Sequence, residues 1–156
     1  MAELIIPNIS IIVPGKPRGK GRPRFGAGHA YTPASTRRYE HEIAVEAQRA
    51  VAGCLSDWDK TAPMRVDILA VFPIPVSWSK RKRAEAEAGD IAPQVKPDLD
   101  NVVKIALDAI NGIVFEDDKQ VVKIDASKVY LEGIPSAWAR DGYLQIVVTQ
   151  DLEEER

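Results

Sequence analysis

Four side chains in this sequence could do chemistry together. Asp98, Asp100 and Lys104 stand in the string KPDLDNVVK at 96–104, and Asp118 stands in the string DAINGIVFEDDKQV at 108–121. Carboxylates are hard oxygen donors and suit Mg²⁺, or Mn²⁺ in its place, ions that keep bound waters for a substrate phosphate to displace. Such an ion polarises a phosphodiester and acidifies an attacking water, and a nearby ammonium can balance the charge growing on the phosphate oxygens. The spacing sets a condition. Carboxylates at i and i+2 on one helix point about 200° apart and cannot share an ion. If Asp98 is instead the N-cap, with extended dihedrals favoured before the helix starts, its side chain can swing toward Asp100. Asp118, at the beginning of a neighbouring strand, would then complete the site. The positive end of the helix dipole opposes a cation there by about 0.3–1 kcal/mol, which two or three ionised carboxylates outweigh. Plainer readings stay open beside this one. Asp98 could serve only as a cap, and Lys104 only as an i, i+4 partner of Asp100 worth about 0.2–0.5 kcal/mol. Glu116 and Asp117 could belong to an exposed turn.

The elements that must position these groups are legible in outline. Leu99, Val102, Val103, Ala106, Leu107 and Ile110 follow the spacing of a core-facing stripe, and Gly112 after Asn111 is a helix stop, so a helix is expected over 98–111. Upstream, the β-branched run at 9–13 reads as a strand, ended by Pro14 and Gly15. The next twenty or so residues are punctuated by Gly and Pro too often for a helix or a ladder, so they are expected to be loop. Ser35 or Thr36 is the expected N-cap of a second helix carrying Tyr39, Ile43, Ala47 and Ala50 on one face and closing near Gly53. A buried strand is expected over 64–74, where Val66, Ile68, Ala70 and Phe72 alternate, and Ser77 to Ala88 has the propensity of a short charged helix. Strands over 120–131 and 143–149, with a turn between them, finish the chain. This order predicts an α+β fold: one domain over residues 1–150, a mixed sheet of four or five strands with helices on one face, and an acidic tail over 151–156.

Composition narrows the class. At 156 residues, with 45% hydrophobic and 28% charged residues, the chain is long enough for one ordinary core. Cys54 is the lone thiol, so no disulfide framework exists and Cys54 reads as packing. No apolar run has the length of a membrane span, and a cytoplasmic protein is expected. His29 and His41 lack zinc-ligand spacing, and the tryptophans read as core or rim. The net charge of −2 conceals a segregation of sign. No carboxylate lies between Pro14 and Tyr39, where Lys16, Arg18, Lys20, Arg22, Arg24, Arg37 and Arg38 are concentrated, and Lys80 to Arg83 form a second basic group. The cations between Pro14 and Tyr39 are the expected contacts to a nucleic-acid backbone.

Taken in order, GKGRPRF at 19–25, AYTPASTRRYE at 30–40, KPDLDNVVK and DAINGIVFEDDKQV make the sequence resemble the RusA family of Holliday junction resolvases, common in phages and prophages, over most of the chain up to Val121. The resemblance implies a Mg²⁺-dependent homodimeric endonuclease of DNA recombination and repair that places paired nicks across a four-way junction. It matches the family's metal-site aspartates to Asp98, Asp100 and Asp118, and its active-site lysine to Lys104. A DNA-binding protein without catalysis, or a metal nuclease acting on forks or flaps, are the competing expectations.

Overall fold

A computed structural model describes residues 6–54, 57–133 and 136–151 of the chain. Strand β1 (Asn8–Pro14) buries Ile9, Ile11 and Val13 and exposes the residues between, the period-2 pattern of a strand with one face on a core. Helix α1 (Ala34–Ala52) buries Thr36, Tyr39, Ile43 and Ala47. Between them, β2 (Arg24–Gly26) and β3 (His29–Tyr31) pair as a small separate hairpin. Strand β4 (Met64–Phe72) is followed by α2 (Lys80–Glu87), α3 (Leu99–Ile110), a short 3₁₀ turn at Asp118–Gln120, β5 (Val121–Tyr130), a second turn at Ala137–Ala139 and β6 (Tyr143–Gln150).

The main sheet has the order β1-β6-β4-β5, with β4 and β5 parallel and the other pairs antiparallel. It is a mixed sheet with α1 and α3 packed together on one face, the α+β arrangement expected. Met64, Val66, Ile68, Ala70 and Phe72 of β4 point into that core, while Arg65, Asp67 and Leu69 are half-buried on the opposite, open face. Among the described residues no helix is long and apolar enough to cross a membrane.

Parallel pairing of β4 with β5 requires a crossover, and α3 is its return leg. The entrance of α3 lies at the Phe72 and Tyr130 end of the sheet, where the Lys128 ammonium donates to the Val95 carbonyl. The exit lies at the Met64 and Val121 end, held by Trp58 Nε1 donating to the Val114 carbonyl at 2.7 Å and the Glu116 amide donating to the Lys60 carbonyl at 3.2 Å. The 12 residues of α3, rising about 1.5 Å each, therefore hold its two ends about 18 Å apart.

Three local expectations are corrected. The segment after β1 is not uninterrupted loop, because Ala27 (φ 50°) and Gly28 (φ 80°) form a two-residue turn with both φ positive, the geometry that matches the twist of a hairpin. Neither Ser35 nor Thr36 caps α1. The helix starts one residue earlier behind Pro33, and the buried Thr36 hydroxyl instead accepts the Gly21 amide at 3.2 Å. Further on, β4 ends at Phe72 rather than at residue 74, before the two prolines. The residues of the acidic tail after Asp151 lie outside those described.

At the start of β6, Gly142 has φ 85°, and a Cβ there would lie 2.2 Å from the Val71 carbonyl oxygen. Gly142→Ala is expected to lower unfolding free energy by more than about 1 kcal/mol, since it adds a clash to a left-handed conformation. Urea unfolding checks this, and an unchanged midpoint would be the contrary result.

Candidate active site

Asp98 is the N-cap residue of α3, with extended dihedrals (φ −67°, ψ 144°), yet its side chain makes no capping hydrogen bond. The simple capping role is thus unfilled and the carboxylate faces solvent. Lys96 holds it instead, its ammonium 2.7 Å from each carboxylate oxygen. That hydrogen bond keeps Asp98 below the usual carboxylate range against the opposing cost of desolvation, with Lys96, Lys128 and Arg22 adding positive potential. Asp100 follows in the first turn of α3 and is exposed. Lys104 is exposed one turn further on, and among the described residues it forms no ion pair with Asp100 or any other carboxylate. The i, i+4 surface pair is therefore not made, which leaves the lysine free to meet a substrate.

The basic segment is tied down beside these groups. The Lys20 amide donates to the Asn101 carbonyl at 2.9 Å, in the first turn of α3. At Gly19 a Cβ would lie 2.9 Å from the Cβ atoms of both Asn101 and Pro97, and at Gly21 one would lie 2.6 Å from the Thr36 hydroxyl. Glycine is needed at both positions because the loop lies directly on the helices. The Lys20 side chain reaches Glu40 of α1 and, at 3.0 Å, Asp108 of α3. Burial alone would lower its pKa, but these two carboxylates outweigh it and hold the ammonium above its ordinary value. Lys20 thereby joins the loop to both helices. The other expected cations are placed differently. Lys16, Arg18 and Arg38 line one cleft of about 220 Å³ between the loop and α1. Arg22 lies near Asp98, Arg24 is in β2, and Arg37 is on the exposed side of α1. Since Pro14 pairs with Tyr143 and Tyr143 with Val71, the loop leaves the sheet at the same end as the entrance of α3.

Asp118 is elsewhere. It opens the 3₁₀ turn before β5, at the exit end of α3, so the crossover separates it from Asp98 and Asp100. Among the described residues no three His, Cys, Asp or Glu side chains are grouped closely enough to hold a metal ion. Convergence of the three aspartates within one chain, the arrangement expected from the sequence, is therefore not found. The local division of labour is nonetheless informative. Asp117 caps the turn, accepting from the Lys119 amide at 3.0 Å, and its own amide donates to Gln120 Oε1 at 2.9 Å. The Lys119 amide, helped by the charge of the Lys119 side chain and opposed by desolvation, holds Asp117 below the usual carboxylate range. Gln120 in turn donates to the carbonyls of Lys60 and Ala62. Asp117 is structural, and Asp118 carries none of these turn-forming bonds.

Two features were not singled out in the sequence. Phe25 is 82% exposed on the β2–β3 hairpin beside Arg24, with the half-exposed Tyr31 opposite Arg24. An aromatic ring presented among cations can stack on an unpaired base. The signal was present in RPRFG, but it becomes readable only once the hairpin is known to exist. Lys82, within the second basic group, lies 3.8 Å over the Trp78 ring, which meets Tyr130 edge-on, so part of that group is engaged in packing.

A family model described as Endodeoxyribonuclease RusA matches residues 14–136. The chain is also 36% identical over 130 residues to the uncharacterized protein YqaN of Bacillus subtilis (strain 168), covering 80% of this chain and 89% of that protein.

Proposed function

The chain belongs to the RusA endodeoxyribonuclease family, and from that premise we propose that it is a Mg²⁺-dependent nuclease that resolves four-way DNA junctions by paired nicks, working as a homodimer. The observation that carries this reading is the meeting, at one end of α3, of two exposed aspartates, the uncommitted Lys104 and a rigidly mounted basic loop. Asp98, Asp100 and Asp118 are the proposed metal ligands, all exposed hard oxygen donors, and at Asp98 an ion would take the place of the Lys96 ammonium that now bridges both oxygens. When bound, Mg²⁺ would polarise the scissile phosphate and acidify water, with Mn²⁺ an expected substitute. The chain's own contribution is to hold the phosphate between Lys104 and the loop cations, of which Arg22 adds positive potential at Asp98. Because one chain does not bring Asp118 to the other two aspartates, each site is proposed to take Asp98, Asp100 and Lys104 from one subunit and Asp118 from its partner. A two-fold dimer then generates two equivalent sites, which is what symmetric incision of opposed strands needs.

The reading is tested by offering four-way junction, fork, flap and linear duplex to the protein with Mg²⁺ and with a chelator. Paired incision of the junction, lost on chelation, is expected. Preferential cutting of forks or flaps would reassign the substrate, and Mg²⁺-insensitive binding without scission would leave a DNA-binding protein only.

Replacing Arg22 and Arg24 by alanine is expected to weaken junction binding and to reduce the log–log salt slope by about 0.9 for each phosphate no longer neutralised, while the fold is kept. Binding measured across a salt series checks this; an unaltered slope would remove these two arginines from the interface.

A further inference from the structure

The chain between α2 and α3 walls a cavity of about 400 Å³, lined by the apolar surfaces of Trp78, Tyr130 and Val95 and by the polar groups of Lys82, Asp90 and Gln94. Its size is that of a small-molecule site. Nothing in the cleavage proposed above uses it. We infer that this cavity takes an unpaired nucleobase, extruded from the DNA strand that crosses Asp98, stacked on Trp78 and read at its edge by Asp90 and Gln94. The inference rests on the nuclease reading only for the strand that delivers the base.

The walls are built by the fold. Ser79 caps α2 and accepts the Lys82 amide at 3.3 Å, which sets the Lys82 ammonium 3.8 Å over the Trp78 ring. Tyr130 meets that indole edge-on, with the ring centres 5.3 Å apart. The chain after α2 is tied back by the Asp90 amide, which donates to the Glu85 carbonyl at 2.9 Å, and further on by the Lys128 ammonium donating to the Val95 carbonyl. Both ends of this wall are fixed, so a ligand does not have to order them.

Three observations select a nucleobase as the occupant. An indole face stacks on any base, and the Asp90 carboxylate and Gln94 amide, both exposed at the rim, supply the acceptors and donors that a base edge matches. The cavity is also continuous with the proposed site. Val95 stands three residues before Asp98, at most about 10 Å of extended chain, so the base next to the scissile phosphate can reach it. Finally, the surroundings are cationic. Lys80, Arg81 and Lys82 share the first turn of α2, and Lys96 and Lys128 add positive potential toward Asp98, which gives the second basic group a role that cleavage alone does not. A cation over an exposed ring is held less tightly than a stacked base, so the base displaces the Lys82 ammonium and leaves it to pair with phosphate. Extrusion costs least where a base is already unpaired, and a site that demands it favours a branch point over continuous duplex.

The test is an abasic scan of a four-way junction, with binding of the full chain measured in the presence of a chelator so that no strand is cut. Bases flanking the branch point are removed one at a time. Wild type is expected to lose at least about fivefold in affinity at one position, whereas Trp78→Leu, weaker on the intact junction, is expected to lose nothing further there. Trp78 is half-buried, so circular dichroism accompanies this variant. Asp90→Ala combined with Gln94→Ala, both at the exposed rim, gives a second route that spares the packing. It is expected to narrow the affinity differences among the four bases at that position at least about twofold. A scan without a sensitive position, a loss that persists in folded Trp78→Leu, a loss that instead disappears in Phe25→Ala, or a rim variant with unaltered base preference would each overturn the inference. Coupling between Trp78 and one base in a protein that cuts no DNA would keep the cavity's role and lose the nuclease reading. Junction cleavage by a protein whose binding ignores Trp78 would do the reverse.

Discussion

Asp100→Asn is expected to lose at least about 100-fold in junction cleavage, since even substitution of groups that merely support a metal ligand costs about 10–100-fold. Junction binding, by contrast, should hold or tighten, because the change removes a negative charge from the surface that meets the phosphates. Asp100 is exposed in the first turn of α3 and among the described residues takes part in no ion pair, so the substitution has little structure to disturb. Nicking of labelled junctions with excess Mg²⁺, alongside binding measured with Ca²⁺ or a chelator, separates the two effects. Cleavage within twofold of wild type would take Asp100 out of the site.

The second large effect concerns which chain supplies what. Asp100→Asn and Asp118→Asn are each expected to be inactive as purified homodimers. Mixed and allowed to exchange subunits, they should recover strand scission. In a mixed dimer, one site combines both lesions and the other combines Asp98 and Asp100 from the Asp118 variant with an intact Asp118 from its partner. Random exchange makes half the dimers mixed with one sound site in two, so about a quarter of the wild-type site concentration should return, as single nicks rather than paired ones. If each site were built from one chain, every site in the mixture would contain a lesion and nothing would return. The experiment requires no structure of the dimer, only exchange between subunits.

Much of the fold was legible because its signals are periodic. The alternation in β4, the apolar stripe of α3 and the Gly112 stop fix their elements locally, and the run of elements predicted a mixed sheet with helices on one face. The hairpin escaped because its turn is Ala27-Gly28, in which alanine occupies a left-handed conformation that residue type alone does not announce. The absence of a side-chain cap on α1 reflects a tertiary contact, the Gly21 amide bonded to Thr36 fifteen residues away, which no local rule encodes. The site divides along the same line. That Asp98 would sit at the N-cap of a helix followed from its place behind Pro97 and ahead of an apolar stripe. That Asp118 would lie at the other end of the helix did not, because it depends on β4 and β5 being parallel, and strand direction in a sheet is a property of the topology rather than of the strings that flank the aspartates. Lys20 illustrates the same limit: its neighbours in sequence are cations, whereas its neighbours in space are Glu40 and Asp108.

The anchoring of the glycine-rich loop bears on how much freedom is left to lose when DNA arrives. A run of glycines and prolines ordinarily samples many backbone states, and freezing them on association subtracts from affinity. Here residues 19–21 are already seated on the first turn of α3 and on Thr36 before any ligand is present. The arginines that follow are held on a base that does not need to be ordered, so recognition can proceed with the conformational entropy of this segment already spent in folding.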